Sequence, residues 1–220
     1  MGYIRLGSGA HDANTSNYWL FKNVQVTNKD HPTKYAWANR DEWVTDSSVL
    51  STDFVPQNIV QSGSSLYFNG IDSSIEIPLH NIISGGTWSI NIWFYKETGK
   101  WGDTSEVLVG GPSGFELQAR EGTSTTPEIK CYSWGGAKYA YELDRWNMVT
   151  LTRTGSGTKL YINGELKGSG TAGSMPAGKY FMGSWRDANT QSFKGYMRRF
   201  SVYRQELSAE DVMNLYTHNE

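Results

Sequence analysis

Two carboxyl groups facing one glycosidic bond are the plainest chemistry to look for in this chain, and residues 142–146 come nearest to supplying them. Glu142 and Asp144 stand at alternate positions, but the next alternate residue is Trp146 rather than a second acid. A retaining glycosidase needs its two carboxyl groups about 5 to 5.5 Å apart on either side of the bond. Glu116 and Gln118 fall short in the same way, offering a carboxylate and an amide. Nucleophilic chemistry has less support. The four histidines, His11, His31, His80 and His218, are scattered among loops and termini, there is no Gly-x-Ser-x-Gly elbow, and Cys131 is the single cysteine. The same scatter argues against zinc, and Cys131 reads as a buried structural thiol.

Residues suited to holding a ligand are easier to find. In Phe115-Glu116-Leu117-Gln118-Ala119-Arg120, alternation sends Glu116, Gln118 and Arg120 to one face. If Ile129, Cys131 and Ser133 point inward, Lys130, Tyr132 and Trp134 form a similar face on the next run, and Tyr139 adds area. Aromatic rings bury the apolar face of a pyranose while amide and guanidinium groups take its hydroxyls, so this set makes a sugar platform. It equally suits a face covered by residues 1–60, or an ordinary solvated one. The three readings stand side by side.

The elements that must position these residues are strands. From residue 65 onward short alternating runs are separated by turns rich in glycine and asparagine, as in an antiparallel sandwich. Asn163-Gly164 between two such runs predicts a β-hairpin with a type I′ turn. Residues 146–152 read as a strand covered on both faces. One helix is predicted, over 209–216, with Ser208 as its cap and Asp211 at the third position. It is too short to stand alone and must dock on the sandwich or cover a sheet edge. Residues 1–60 are irregular, yet they carry Trp37, Trp43 and Tyr18-Trp19-Leu20-Phe21. They are expected to form an arm or extra β layer packed on the domain of residues 61–220.

Composition narrows the partners. Lys and Arg number 20 against 22 Asp and Glu, for a net charge of −2, and neither sign gathers into a run. That excludes the basic footprint of a nucleic-acid binder. The opening residues lack the apolar stretch of a secretory signal, and no run is long enough to span a bilayer.

The order of the motifs resembles the laminin G-like domain of the concanavalin A-like lectin and glucanase superfamily. It is carried by Leu66-Tyr67-Phe68-Asn69-Gly70-Ile71-Asp72, Trp88-Ser89-Ile90-Asn91-Ile92-Trp93-Phe94, Trp146-Asn147-Met148-Val149-Thr150-Leu151-Thr152, Leu160-Tyr161-Ile162-Asn163-Gly164, and the stretch from Phe193 through Tyr203 to the terminal helix. The resemblance implies an all-β fold, a two-sheet antiparallel jelly-roll sandwich with a short C-terminal helix. It implies binding of a glycan or protein. The missing carboxylate pair argues against catalysis, and an outer-surface fold with neither a signal stretch nor a disulfide is expected at an extracellular or virion surface. A viral or phage structural protein, with other virion subunits as partners, is the alternative, and a glycoside hydrolase ranks third. Many relatives hold Ca2+ with loop oxygens, which makes Asp187, Asn189 and Asp72 the metal candidates. The same residue types also serve turns through their own backbone hydrogen bonds.

Overall fold

The computed structural model describes residues 25–27, 55–77, 79–80, 86–97, 106–112, 115–120, 127–131, 138–171, 176–185 and 191–218. They form two facing sheets. The first follows the order β13 (Glu165–Thr171), β12 (Gly157–Ile162), β11 (Trp146–Thr154), β6 (Thr87–Lys96), β15 (Lys194–Tyr203), β4 (Ser65–Asn69) and β3 (Val60–Ser62), all antiparallel. The second runs β10 (Lys138–Ala140), β9 (Glu128–Cys131), β8 (Glu116–Arg120), β7 (Glu106–Gly110), β14 (Tyr180–Met182), β5 (Ser74–Ile77) and β2 (Val55–Gln57). Neighbours distant in sequence, such as β6 and β15, show the crossovers of a jelly roll.

Alternation explains the core. Trp88, Ile90, Ile92 and Phe94 of β6 face Leu117, Ala119, Ile129 and Cys131 of the second sheet within one buried cluster. Each such large apolar side chain contributes about 1.5 to 3 kcal/mol when fully buried. The opposite face of β6 and β11 is covered as well. Trp93, Met148, Tyr161 and Tyr203 form a second cluster with Leu207 and Val212, which lays the helix Ala209–Thr217 on the outside of the first sheet. Strand β11 is therefore buried on both sides, as its sequence predicts. Ser208 and Asp211 form the expected capping box. Asn163 and Gly164 have φ of 51° and 83°, the positive pair that a type I′ turn requires. A side chain at Gly164 would press on Met213 and Tyr216 of the helix.

Segments from the first sixty residues complete both sheets. β1 (Gln25–Thr27) pairs in parallel with Ser201–Tyr203 of β15, β2 joins β5 at the edge of the second sheet, and Ile59 is buried in the core. Tyr18 through Phe21, Trp37 and Trp43 lie outside the described residues. Where β6 meets β7, Lys96 and Glu106 form a buried ion pair at 3.3 Å, and Glu106 also accepts the backbone N–H of Lys194 at 2.8 Å.

Candidate ligand site

The second sheet separates the residues expected to form a platform. Glu116 and Gln118 do share its outer face, but both are buried, and the Gln118 Nε2 donates to Glu116 Oε2. Gln118 stands opposite Lys130, and Arg120 opposite Glu128, so the strand register brings these four together. Burial, with Arg120 and Lys138 nearby, lowers the Lys130 ammonium from its ordinary pKa. Tyr139 departs from the set. It stands opposite Ile129, and directly opposed residues point to the same side of a sheet, so Tyr139 packs against the core. Its hydroxyl fills the space a side chain at Gly168 would need. Tyr132 and Trp134 lie outside the described residues.

Asp72 is committed to its own turn. One carboxylate oxygen accepts from Asn69 Nδ2 at 2.7 Å and the other from Asn58 Nδ2 at 2.8 Å, while Asn69 Oδ1 gathers the backbone N–H groups of Ile71, Asp72 and Ser73. Both oxygens thus meet amide donors, which suits a turn better than a hard cation. Asp187 and Asn189 lie outside the described residues, and among those described no three histidine, cysteine or acidic residues cluster as a metal site.

A different face collects rings. Outside the first sheet, the register sets Val60 of β3 opposite Tyr67 of β4, Tyr67 opposite Tyr196 of β15, Tyr196 opposite Tyr95 of β6, and Tyr95 opposite Trp146 of β11. The four rings form one continuous row, with centroids 4.9 Å apart for Tyr67 and Tyr196 and 6.0 Å apart for the next two pairs. All four are half-buried. Beside them opens a cleft of about 540 Å³ lined by Ser65, Tyr95, Glu97, Asp144, Trp146 and Tyr196. Its volume lies within the range of small-ligand sites.

The polar groups around the rings are held in place. Glu97 pairs with Lys194 at 3.5 Å. Burial, and then the Glu97 carboxylate, raise the Tyr67 hydroxyl above its ordinary pKa. Asp144 sits in the β10–β11 loop at φ 54°, and its N–H donates to the carbonyl of Lys96 at 3.3 Å. Buried Asn147 ties that loop down, donating to the carbonyls of Glu142 at 2.7 Å and Arg145 at 3.0 Å. Trp146 is fixed from one side by Arg198, whose guanidinium lies 4.1 Å from the centre of the indole ring. Gly195 keeps β15 close to β6: at φ 141°, any side chain there would collide with the carbonyl of Tyr95.

None of these four rings belongs to the set proposed from sequence. The signal was present strand by strand, since Tyr67, Tyr95 and Tyr196 each alternate with core residues such as Phe68, Phe94 and Met197. What turns them into one row is the order β4, β15, β6, β11, joining strands far apart in the chain.

Comparison with known structures agrees with this architecture. The chain resembles a botulinum neurotoxin serotype D binding domain at 17% identity, covering 82% of this chain and 50% of that one, with a TM-score of 0.59. It also resembles domain 4 of AbnA, an extracellular arabinanase from Geobacillus stearothermophilus solved in complex with arabinotriose, at 20% identity, 74% and 81% coverage and a TM-score of 0.54. A Trypanosoma rangeli sialidase matches at 15% identity, 74% and 29% coverage and a TM-score of 0.59. The chain spans half or less of the neurotoxin and sialidase chains it matches, and identities this low establish the fold alone. No curated protein sequence matches it. The laminin G family model described as the concanavalin A-like lectin/glucanases superfamily matches residues 68–213, and with the two-sheet sandwich built above this places the chain in that superfamily as a laminin G-like domain.

Proposed function

We propose that this domain is a non-enzymatic recognition module that binds a glycan in the cleft of its first sheet and works at an extracellular or virion surface. One observation carries the reading: four half-buried aromatic rings lie in a single cross-strand row beside hydroxyl, carboxylate and ammonium groups, with Glu97 and Lys194 joined as an ion pair. Rings of this kind cover the apolar face of a sugar, and fixed polar groups sort its hydroxyls. Two structural relatives lend support, one a toxin binding domain and the other a domain solved with arabinotriose. Among the described residues no helix is long and apolar enough to cross a membrane.

A glycan array on the purified chain, followed by calorimetry on the best ligands, tests the proposal. Trp146→Ala and Tyr95→Ala are expected to weaken binding at least roughly tenfold, a loss of about 1.4 kcal/mol. Binding that both variants retain in full would move the site elsewhere. Release of reducing ends that disappears in Glu97→Gln would make the domain an enzyme.

A further inference from the structure

The shape and charge of the cleft specify its ligand more narrowly, and this step rests on the glycan reading above. We infer that the site takes an internal stretch of a linear, uncharged polysaccharide lying across the strands, rather than a terminal or acidic sugar.

Length is the first argument. Val60, Tyr67, Tyr196, Tyr95 and Trp146 stand on five successive strands. With neighbouring strands about 4.8 Å apart, the row measures about 19 Å. Each step is close to the length of one sugar residue in an extended chain, so the row offers four or five consecutive contacts. A terminal sugar would use one or two of them and leave the rest in water. The row also runs out to the sheet edge, where Val60 is 57% exposed, so nothing on that strand stops a chain from continuing.

Relief is the second. Successive rings are inclined to one another by 48°, 80° and 64°, which makes a corrugated trough instead of a flat plate. A single soluble chain whose residues turn relative to one another can follow such a surface. The flat face of a crystalline polysaccharide would touch only ring edges.

Charge is the third. Glu97 and Asp144 both line the cleft. The nearby cations are engaged, Lys194 by Glu97 and Arg198 by the indoles of Trp146 and Trp93. A uronic or sialic acid would therefore meet two carboxylates and would have to compete with Glu97 for Lys194. Neutral hydroxyls suit the same groups as hydrogen-bond partners.

Calorimetry with the full chain provides the test, using neutral xylo-, arabino- and mixed-linkage gluco-oligosaccharides of two to six units beside oligogalacturonides and hyaluronan oligosaccharides. Within the neutral series that binds, affinity is expected to rise roughly tenfold or more from two to four units and then level off. Tyr67→Leu, which keeps apolar bulk on β4, is expected to weaken tetrasaccharide binding several-fold more than disaccharide binding. Glu97→Gln removes one carboxylate and releases Lys194, so acidic chains should bind better to it than to the parent. Equal affinity for two and four units, still lost in Trp146→Ala, would overturn the linear-chain inference and leave the glycan site standing. Acidic chains binding the parent as tightly as neutral ones would overturn the charge argument. Failure of every neutral series would overturn both the inference and the site.

Discussion

Trp93 of β6 and Tyr216 of the C-terminal helix stack face to face, with ring centroids 5.7 Å apart and planes inclined by 11°. The contact joins the C-terminal helix to the outer face of the first sheet beside the aromatic row, two residues from Tyr95 along β6. Met148, Tyr161, Tyr203, Leu207 and Val212 close around the indole. The helix has nine residues and would not persist without this seat.

Stability should therefore depend on both the seat and the cap. Trp93→Ala is expected to cost about 3 to 5 kcal/mol, the range for truncating a large buried aromatic side chain. Ser208→Ala removes the capping bond to the Asp211 N–H and is expected to cost about 1 kcal/mol. Urea unfolding followed by tryptophan fluorescence measures both; a Trp93→Ala loss below that of Ser208→Ala would show that the helix does not rely on the stacked contact.

The Lys96 and Glu106 pair tests a different kind of anchor. Both side chains are removed from solvent, and the backbone on either side of Lys96 carries Tyr95 and Glu97 into the cleft. Removing one partner of a buried pair leaves a charge without its counter-ion, so Lys96→Met is expected to lose about 3 to 5 kcal/mol. The double variant Lys96→Met with Glu106→Leu should recover much of that loss. If the double variant is as unstable as the single one, the pair itself is not what holds the strand ends.

Asp72 separates a turn from a metal site. Its carboxylate accepts two amide donors from Asn58 and Asn69, so Asp72→Ala is expected to destabilise the fold by about 1 to 2 kcal/mol. That loss should be the same in millimolar calcium and in chelator. A ligand lost from a calcium site would instead destabilise only when calcium is present, because the ion stabilises through binding the folded state. Differential scanning fluorimetry in the two buffers reads the difference.

How far the sequence reached depends on the range of the interactions involved. Asn163-Gly164, the Ser208 cap and the buried strand read over residues 146–152 are local patterns, each legible within about ten residues, and all three are present. The Glu116 and Gln118 alternation was legible too, but their burial depends on what lies over that face, which alternation does not report. Tyr139 shows another limit. In a three-residue strand the choice of face is set by pairing with β9, and the opposition to Ile129 turns the ring inward. The aromatic row is the extreme case, since four outward rings become one surface only through pairings between strands separated by long stretches of chain.

Arg198 links that surface to the helix seat. Its guanidinium lies 4.1 Å from the centre of Trp146 and 5.2 Å from that of Trp93, spanning the boundary between the cleft and the covered half of the sheet. Burial, and secondarily the neighbouring Arg199, bring its pKa down to about 10, so its surroundings disfavour the charge relative to water even with two indoles beside it. The group still remains charged at neutral pH, and planar stacking on an indole is something a lysine ammonium cannot reproduce. Arg198→Lys is therefore expected to lower stability by only about 1 kcal/mol, the scale of one cation–π contact, while freeing Trp146 to reorient. Because Trp146 forms one end of the aromatic row, glycan affinity should fall more than stability does, and acrylamide should quench the tryptophan fluorescence more strongly. Arg198 would then be a positioning residue, acting through Trp146 rather than on the ligand. An Arg198→Lys variant that binds as tightly as the parent, with unchanged quenching, would show that Trp146 holds its orientation without the guanidinium.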